Sequence, residues 1–567
     1  MQAWAPGTSI RDLPGKLPPD NIPNNVNLQL FSSLASNALT TLRPDMLTDW
    51  ALWLDLLAKT HKVQTHSKQI AQTWSDTLPL RDLRIGRTRT VRLLRSSWVA
   101  VDYAFRVRHG SLSGNGSGMV GFTLEEGQWR IWMISTVLEN YEGHGNPDKS
   151  ITGKPLSHPS WTVIMTTIVE NSQGPDKPVI GRPLASKYTV VIVGGGQSGL
   201  SLAGRLQALG IDYVVLEKSH TAGYRWISRY DTVRQHSFRE LNNLPFGSTW
   251  EESEDEFLPG ARVVEGFRRF IEKHLIHLRT HAEVTSCVRD GAHWNVTVNG
   301  QVISALHVAF ALGAGLTQPR RPTWPDEITF TGTLMHMVDF KNSRPWSGQR
   351  GVVIGTGTAG HDVAQDMYNH GMDVTMIQRS KTAVYPMEWY AQAQRAGYKW
   401  GHPNEYPDRI AMGMPTKVAG ELQRASYQEY VKTHQEYFEK LERAGFRVDM
   451  GEERDVIPNE IVLNHFGGYY IDIGTSKHIQ DGEIRVVNGL IERFSPSGIV
   501  VQGQEIKADV IVLATGYEPD YRKDLEAFLG PMARQLPIIW GLSEEGDIRG
   551  FCEESGEFPH LSMAITC

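Results

Sequence analysis

The stretch Tyr188–Leu200 constrains the fold more than any other part of the chain. Its β-branched run 189–193 is typical of a strand buried on both faces of a parallel sheet. Directly after that run come Gly194, Gly196 and Gly199, spaced as G-x-G-x-x-G. In a strand–turn–helix unit these glycines allow a tight turn, the close approach of a pyrophosphate, and close packing of helix against strand.

The residues that follow complete the pattern of a dinucleotide-binding unit. A helix over 200–209 is predicted to end at Gly210, and its N-terminus would offer free N–H groups to a phosphate. A second strand, Tyr213–Leu216, ends at Glu217, an acid suited to ribose hydroxyls near the expected spacing of about 20 residues. The predicted cofactor-binding residues of this unit are Gly194, Gly196, Gln197, Ser198, Gly199, Glu217 and Lys218.

The same pattern repeats from Arg350 onward. A strand over 351–354, a glycine turn, a helix over 361–369 and a second strand over 373–378 are predicted in that order. This second strand ends in Arg379 instead of an acid, and an arginine there suits a 2′-phosphate, which favours NADP over NAD. We therefore predict FAD at the first unit and NADPH at the second. The predicted residues of the second unit are Gly355, Gly357, Thr358, Gly360, Arg379 and Ser380.

Composition excludes several other classes of protein. A formal net charge of −6 gives no general attraction to nucleic acid or to an anionic membrane. The three cysteines lie far apart, which excludes a disulfide framework, a C-x-x-C redox pair and a cysteine zinc site, and we predict no metal. The sequence shows no signal peptide and no apolar run of about 18 residues, so we expect a cytoplasmic protein.

The first 165 residues read as a separate α+β unit. An irregular arm to about residue 27 is followed by a predicted helix over 45–60 and by strands over 91–98, 101–108, 118–124 and 128–138. The segment Gly121–Asn140 resembles the nuclear-transport-factor-like (SnoaL-like) fold, a cone of helices and antiparallel strands. It offers no phosphate cradle and no acid–base pair, so we expect this cone to be dispensable for flavin chemistry.

Between the two glycine patterns lies F-x-G-x-x-x-H-x-x-x-F, formed by Phe330, Gly332, His336 and Phe340. It resembles the fingerprint of flavin-containing monooxygenases, whose Baeyer–Villiger relatives usually carry Trp at the last position. The resemblance makes His336 a linker residue between domains. Residues 509–517 resemble a second signature of that family, a buried strand that returns to the flavin domain.

The resemblance extends over about 188–561, and residues 468–486 are similar to YUCCA-type plant enzymes and their fungal relatives. It implies that Trp226 and His236 lie on the flavin side, with His236 also the candidate catalytic residue, and that Gly313, Thr515 and Gly516 bind cofactor. The chain departs from the family pattern at Leu312, and it stops at Cys567, before the segment that ordinarily closes over the flavin.

The family resemblance implies an enzyme that uses NADPH and O₂ to oxygenate a small organic substrate, by N- or S-oxygenation, through a C4a-hydroperoxyflavin. The alternatives are a Baeyer–Villiger or YUCCA-like 2-oxo acid decarboxylating reaction, and a degenerate flavoprotein with an interaction role, suggested by the missing closing segment. A disulfide reductase would need a redox cysteine pair that the sequence lacks. Substrate identity and a homo-oligomeric state stay open.

The predicted fold class is α/β, with two Rossmann-type domains preceded by the cone. The cone spans 1–165 and a linker spans 166–186. The flavin domain spans 187–345 and resumes over 490–567, and the NADPH domain, inserted at 346–489, includes a helical excursion over 419–444.

Overall fold

The computed structural model describes residues 7–150, 184–313, 318–451, 457–458, 464, 467–550 and 561–563. Most of the predicted linker 166–186 lies outside these ranges. Three larger sheets organise the described residues, one in the N-terminal part and one behind each glycine pattern. The chain is thus an α/β protein with two Rossmann-type units and a β-rich N-terminal unit.

The N-terminal sheet has six strands in the order β2-β1-β6-β5-β4-β3. Its strands are β1 (Leu47–Leu56), β2 (Val63–Thr65), β3 (Arg81–Leu93), β4 (Ser96–His109), β5 (Leu112–Glu125) and β6 (Gln128–Tyr141). Helices α1 (Gln29–Thr40) and α2 (Ser67–Asp76) contribute apolar side chains to the core of this unit. An α+β unit is therefore present, and its identity as a SnoaL-like cone stays a prediction.

The predicted helix over 45–60 is wrong, because most of this stretch forms β1. β1 pairs in parallel with β6 and antiparallel with β2. Trp53 belongs to the core that includes the helices, whereas Leu52 belongs to a second buried cluster with Trp98 and Trp132. A strand buried on both faces is apolar at nearly every position, so its pattern also fits a helical period.

The strands predicted after residue 90 are shorter than the strands that the structure shows. β3 and β4 are separated by a turn at Leu94–Arg95, which the predicted strand 91–98 runs across. The Gly- and Ser-rich stretch after His109 is mostly strand, since β5 begins at Leu112. Long hairpin strands here tolerate glycine because side chains of the neighbouring strands fill its place: a Cβ atom on Gly116 would lie 2.3 Å from the Phe105 ring.

The second sheet has the order β10-β11-β12-β7-β8-β9, with β23 beside β12. Its strands are β7 (Lys187–Val193), β8 (Tyr213–Leu216), β9 (Leu278–Arg279), β10 (Val284–Asp290), β11 (His293–Val298), β12 (Gln301–Phe310) and β23 (Leu561–Met563). The helices that accompany it are α3 (Gln197–Ala208), α4 (Tyr224–Ile227) and α5 (Gly260–His274). The predicted second strand is confirmed, and Gly210 follows the end of α3 with a φ of +71°.

The third sheet is parallel throughout, in the order β13-β22-β14-β15-β18. Its strands are β13 (Thr333–His336), β14 (Arg350–Ile354), β15 (Asp373–Gln378), β18 (Ile484–Asn488) and β22 (Val510–Leu513), and its helices are α6 (Thr358–Asn369) and α11 (Thr475–Gln480). The second signature strand was predicted to return to the flavin domain. It lies instead in the third sheet, between β13 and β14.

A short buried run such as Val510–Leu513 suits the middle of any parallel sheet, and its sequence does not say which sheet it joins. β13 also belongs to the third sheet. The NADPH domain was predicted over 346–489, but β13 precedes residue 346 and β22 follows residue 489, so the sheet extends beyond both predicted limits.

The remaining elements lie outside the three larger sheets. The short strands are β16 (Ala383–Pro386) and β17 (Tyr469–Asp472), which pair in parallel, and β19 (Ile491–Ser495), β20 (Gly498–Val501) and β21 (Gln504–Lys507), which form a meander. The helices are α7 (Met387–Gly397), α8 (Glu405–Met412), α9 (Thr416–Thr433), α10 (Gln435–Arg443) and α12 (Tyr521–Leu529). The helical excursion is therefore confirmed, with a break at His434.

Within the described ranges, no helix is long and apolar enough to span a membrane. The same residues contain no group of three or more His, Cys, Asp or Glu side chains suited to a metal ion.

Two candidate nucleotide sites

The first glycine turn is held against the end of a neighbouring strand. Gly194 has a φ of +113°, and a Cβ atom there would lie 2.4 Å from the carbonyl oxygen of Ala311. A Cβ atom on Gly199 would lie 2.0 Å from the carbonyl oxygen of Gly194. A Cβ atom on Gly196 would meet no protein atom within 4 Å. Two glycines thus shape the turn, whereas Gly196 leaves its backbone accessible to a ligand.

Helix α3 starts directly at this turn, with Gly196 as its N-cap and no side chain capping it. Gln197 and Ser198 are its first residues, so the helix begins three residues before the predicted start at Leu200. Glu217 accepts the backbone N–H of Gly195 and that of Ser219, each at 2.8 Å. Its carboxylate therefore lies at the turn. A helix N-terminus beside an open glycine and an acid fits the pyrophosphate and ribose of FAD.

Lys218 and Trp226 occupy different surroundings at this unit. The side chain of Lys218 is exposed beyond the end of β8. Trp226 packs against the apolar cores of both nucleotide units, so it helps to hold the two together.

The second turn repeats the geometry of the first. Gly355 has a φ of +119°, with its Cβ position 2.4 Å from the carbonyl oxygen of Ala514, and Gly360 would place a Cβ atom 2.2 Å from the carbonyl oxygen of Gly355. At Gly357 the nearest protein atom to a Cβ would be the carbonyl oxygen of Tyr469, at 3.7 Å. Thr358 begins α6. This turn also fits a dinucleotide pyrophosphate.

Arg379 and Ser380 follow β15 directly, and both side chains are exposed. No carboxylate pairs with Arg379 in the part of the chain that the structure describes. An unpaired guanidinium at the end of this strand is suited to a 2′-phosphate.

The two A-x-G motifs have matching places. Ala311 follows β12 and contacts the first turn, and Ala514 follows β22 and contacts the second. Gly313 and Gly516 both have positive φ, and a Cβ atom on either would meet no protein atom within 4 Å. Thr515 and Gly516 were predicted for the flavin domain. They lie beside the second turn, because β22 pairs with β14.

The fingerprint residues pack along the edge of the third sheet. Phe330 contacts Phe494, and Phe340 is fully buried in the core of the second unit. A Cβ atom on Gly332 would lie 2.4 Å from the carbonyl oxygen of Asp509, which explains the glycine. His336 ends β13 with 3% of its surface exposed, and burial lowers its pKa. The role of His336 as a linker between domains stays a prediction.

Buried polar side chains join the segment after α4 to the start of α6. Asp362, the fifth residue of α6, accepts a hydrogen bond of 2.5 Å from the hydroxyl of Tyr230. Nε2 of His236 lies 3.3 Å from Oδ1 of Asp362. Burial, and then the charge of Asp362, raise the pKa of Tyr230 well above its usual value, so it stays a donor. The predicted catalytic histidine therefore lies where the two units meet.

Asp362 was not predicted, although it comes two residues after the last glycine of the second turn. Its sequence context indicated only a helix, because the local pattern does not distinguish an aspartate that faces another unit from one that faces solvent. Its partners come from a segment more than 100 residues earlier in the chain, and only the fold brings them together.

The aromatic residues Tyr385, Trp389 and Tyr390 lie close together in the sequence after the second unit's strand β15, a pattern that suits either the wall of a substrate pocket or a core. Tyr385 is fully buried and Trp389 is nearly so, within the main core of the second unit. Both rings pack on Tyr427, with centroids 5.6 and 5.1 Å away, and the indole N–H of Trp389 donates to Ser426. The structure favours a core.

Comparison with known proteins agrees with two dinucleotide units. The family described as "Pyridine nucleotide-disulphide oxidoreductase" matches residues 191–389. These residues contain a single cysteine, Cys287, which is buried, so they carry the fold of that family without a redox cysteine pair.

Curated relatives are similar over rather more than half of the chain. Indole-3-pyruvate monooxygenase YUCCA1 of Oryza sativa subsp. japonica is 28% identical over 353 residues, covering 59% of this chain and 78% of that protein. Indole-3-pyruvate monooxygenase YUCCA6 of Arabidopsis thaliana is 25% identical, covering 60% and 78%. A solved flavin-containing monooxygenase from Stenotrophomonas maltophilia matches at 17% identity and a TM-score of 0.45, over 67% of this chain and 90% of that one.

The matched family spans both glycine turns and the fingerprint between them. With the monooxygenase relatives, it supports a flavin-dependent NADPH monooxygenase enzyme that is similar to the flavin-containing monooxygenases, with FAD and NADP(H) as its cofactors.

Proposed function

We propose that the chain binds FAD at the first glycine turn and NADPH at the second, and oxygenates a small organic substrate with O₂ by N- or S-oxygenation. The observation that carries this proposal is the pair of equivalent turns, one with an acid at its ribose end and the other with an arginine. Both turns keep all three glycines in place. That intact geometry argues against the alternative of a degenerate flavoprotein.

When bound, FAD and NADPH supply hydride transfer and the activation of O₂. The chain's own residues hold and orient these groups. Gly196 and the N-terminus of α3 would bind the FAD pyrophosphate and Glu217 its ribose, while Gly357 and Arg379 would bind the NADPH pyrophosphate and 2′-phosphate.

His236 has the surroundings of a proton-holding group between the two units. Its side chain is 9% exposed, and no hydrogen bond to either ring nitrogen is formed within the described residues. Nε2 faces Oδ1 of Asp362 at 3.3 Å, and Nδ1 is buried without a protein partner among the described residues. We propose His236 as the catalytic residue on this ground. We also propose that the NADPH domain includes the whole third sheet, from β13 to β22.

A second candidate function is the oxidative decarboxylation of a 2-oxo acid. The curated relatives are indole-3-pyruvate monooxygenases, and this favours an arylpyruvate as the first alternative substrate to examine. A Baeyer–Villiger reaction on a ketone is the remaining possibility.

The flavin-loaded protein tests these functions directly. We expect NADPH-dependent O₂ consumption that is faster than with NADH, and product formation from one class within a panel of sulfides, tertiary amines, ketones and arylpyruvates. Mass spectrometry with ¹⁸O₂ would detect the incorporated atom. A protein that binds flavin but neither oxidises NADPH nor labels any product would contradict the proposal.

Nucleotide preference gives a sharper test at Arg379. Arg379→Ala should raise KM for NADPH by about 10- to 100-fold, because a charge-assisted contact to the 2′-phosphate is lost. KM for NADH should change little. Arg443→Ala is a matched control, since this exposed arginine on α10 pairs with Glu439. Equal effects of Arg379→Ala on the two nucleotides would contradict the assignment.

A further inference from the structure

A second arginine lies beside the end of β15, although it is distant from that strand in the sequence. Arg447 follows α10, and its Nη2 donates to the carbonyl oxygen of Arg379 at 3.0 Å. Its Nε donates to Oδ1 of Asn488, the last residue of β18, at 2.8 Å. The guanidinium is therefore fixed at the carboxyl ends of two adjacent strands of the third sheet.

The backbone of Arg447 is fixed as firmly as its side chain. Gln378, the last residue of β15, is fully buried. Its amide nitrogen donates to the carbonyl oxygen of Arg447 at 2.9 Å, and its amide oxygen accepts the N–H of Arg447 at 2.8 Å. Thr382 also donates its N–H to the carbonyl of Arg447, at 3.1 Å. Burying an amide is favourable only when it is fully paired, and here both of its atoms serve to place Arg447.

The charges at this point are not balanced by the protein. Among the described residues, no carboxylate forms an ion pair with Arg379 or with Arg447. Other arginines of the same unit are paired: Arg485 with Asp373, and Arg443 with Glu439. Both unpaired side chains are exposed. The Arg447 guanidinium contacts the backbone of Arg379, so two arginines without a counter-charge meet at the carboxyl ends of these strands, and an anion with several oxygen atoms could accept from both.

We propose that Arg447 is a second ligand of the 2′-phosphate of NADPH, acting with Arg379 to select NADPH over NADH. This inference rests on the proposed function of the second turn. Asn488 and the Arg379 carbonyl occupy Nε and Nη2, and Nη1 is left as a donor toward the phosphate. Arg447 lies outside the strand–turn–helix pattern from which Arg379 was predicted, so that pattern does not point to it.

The test uses the flavin-loaded full-length protein and two probes that differ only in the phosphate, 2′,5′-ADP and 5′-ADP. Their dissociation constants can be measured by calorimetry, without turnover. We expect Arg447→Gln to weaken 2′,5′-ADP binding by about 10- to 100-fold and 5′-ADP binding by less than about threefold. Arg447→Lys should give an intermediate loss, because lysine keeps the charge without the planar fork. Arg443→Gln should change neither constant.

Several outcomes would overturn the inference, and they separate it from the proposed function. If Arg379→Ala weakens 2′,5′-ADP selectively while Arg447→Gln does not, the NADPH site stands and Arg447 is no ligand. Equal losses for both probes in Arg447→Gln and Arg447→Lys would make Arg447 a purely structural residue. If the unmodified protein binds both probes equally, the proposed NADPH site itself fails, and the inference fails with it.

Discussion

Replacing Gly196 by valine will give a folded protein that purifies without flavin. The φ of −83° at Gly196 is accessible to any residue, and a Cβ atom would meet no protein atom within 4 Å. Folding should therefore tolerate the side chain. The same atoms would fill the place where the backbone must approach the pyrophosphate, and we expect flavin content to fall by at least about tenfold.

Gly357→Val is the matched variant at the second turn. Gly357 has a φ of −79°, and a Cβ atom would approach only the carbonyl oxygen of Tyr469, at 3.7 Å. We expect this protein to be yellow but not to be reduced by NADPH. Each variant controls for the other: Gly196→Val should still bind 2′,5′-ADP, and Gly357→Val should still hold flavin. The visible spectrum with and without NADPH decides both, and a yellow Gly196→Val protein would contradict the assignment of sites.

The first glycine of each turn is a poorer choice for this test. Gly194 and Gly355 have positive φ, and a Cβ atom on either would lie 2.4 Å from a backbone carbonyl oxygen. Valine there would disturb the contact between the turn and the end of the neighbouring strand. Loss of flavin could then result from misfolding as readily as from lost binding. The sequence pattern predicted a separate role for each glycine of a turn: the tight turn, the approach of the pyrophosphate, and the packing of the helix. The structure separates the two that shape the turn from the one that faces the ligand.

The features predicted well are those set by local sequence. The strand at Tyr213–Leu216 and the glycine after α3 follow from a short apolar run and from the need for positive φ. The nucleotide preference at Arg379 also depends on one position after one strand, and it stays a prediction.

The features that were missed depend on partners distant in the sequence. β1 was predicted as a helix because burial on both faces removes the alternation of a strand. β22 was assigned to the wrong sheet because pairing is not encoded in four apolar residues. Asp362 acquires a role only through Tyr230 and His236, which come from the other unit.

The N-terminal arm departs most from the expectation of a dispensable cone, because it packs into the flavin unit. Ile10 is fully buried and Leu13 is 3% exposed, in one apolar cluster with residues of β7, β8 and β12. The backbone N–H of Thr8 donates to Leu542 at 3.0 Å. Nζ of Lys417 donates to the carbonyl oxygens of Ile10 and Arg11, at 3.0 and 2.9 Å.

The arm precedes the cone in the chain, so a protein that begins near Pro175 loses both. Its flavin unit would expose the apolar surface that Ile10 and Leu13 cover. The absence of a phosphate cradle and of an acid–base pair in residues 1–165 shows only that they are not expected to act in catalysis. These residues can still be required for a stable flavin site.

Ile10→Ala tests this role of the arm without removing the cone. Emptying a fully buried isoleucine site should lower the free energy of unfolding by about 2–5 kcal/mol, whereas Ile10→Val should cost about 0.5–1.5 kcal/mol. Leu30→Ala, on α1 of the cone and 47% exposed, should change it by less than about 0.5 kcal/mol. The fluorescence of flavin released on heating reports the stability of the flavin unit directly. The midpoint temperature of release should be highest for Leu30→Ala, lower for Ile10→Val and lowest for Ile10→Ala. If Ile10→Ala releases flavin at the same temperature as the unmodified protein, the arm does not stabilise the site, and the cone would be dispensable after all.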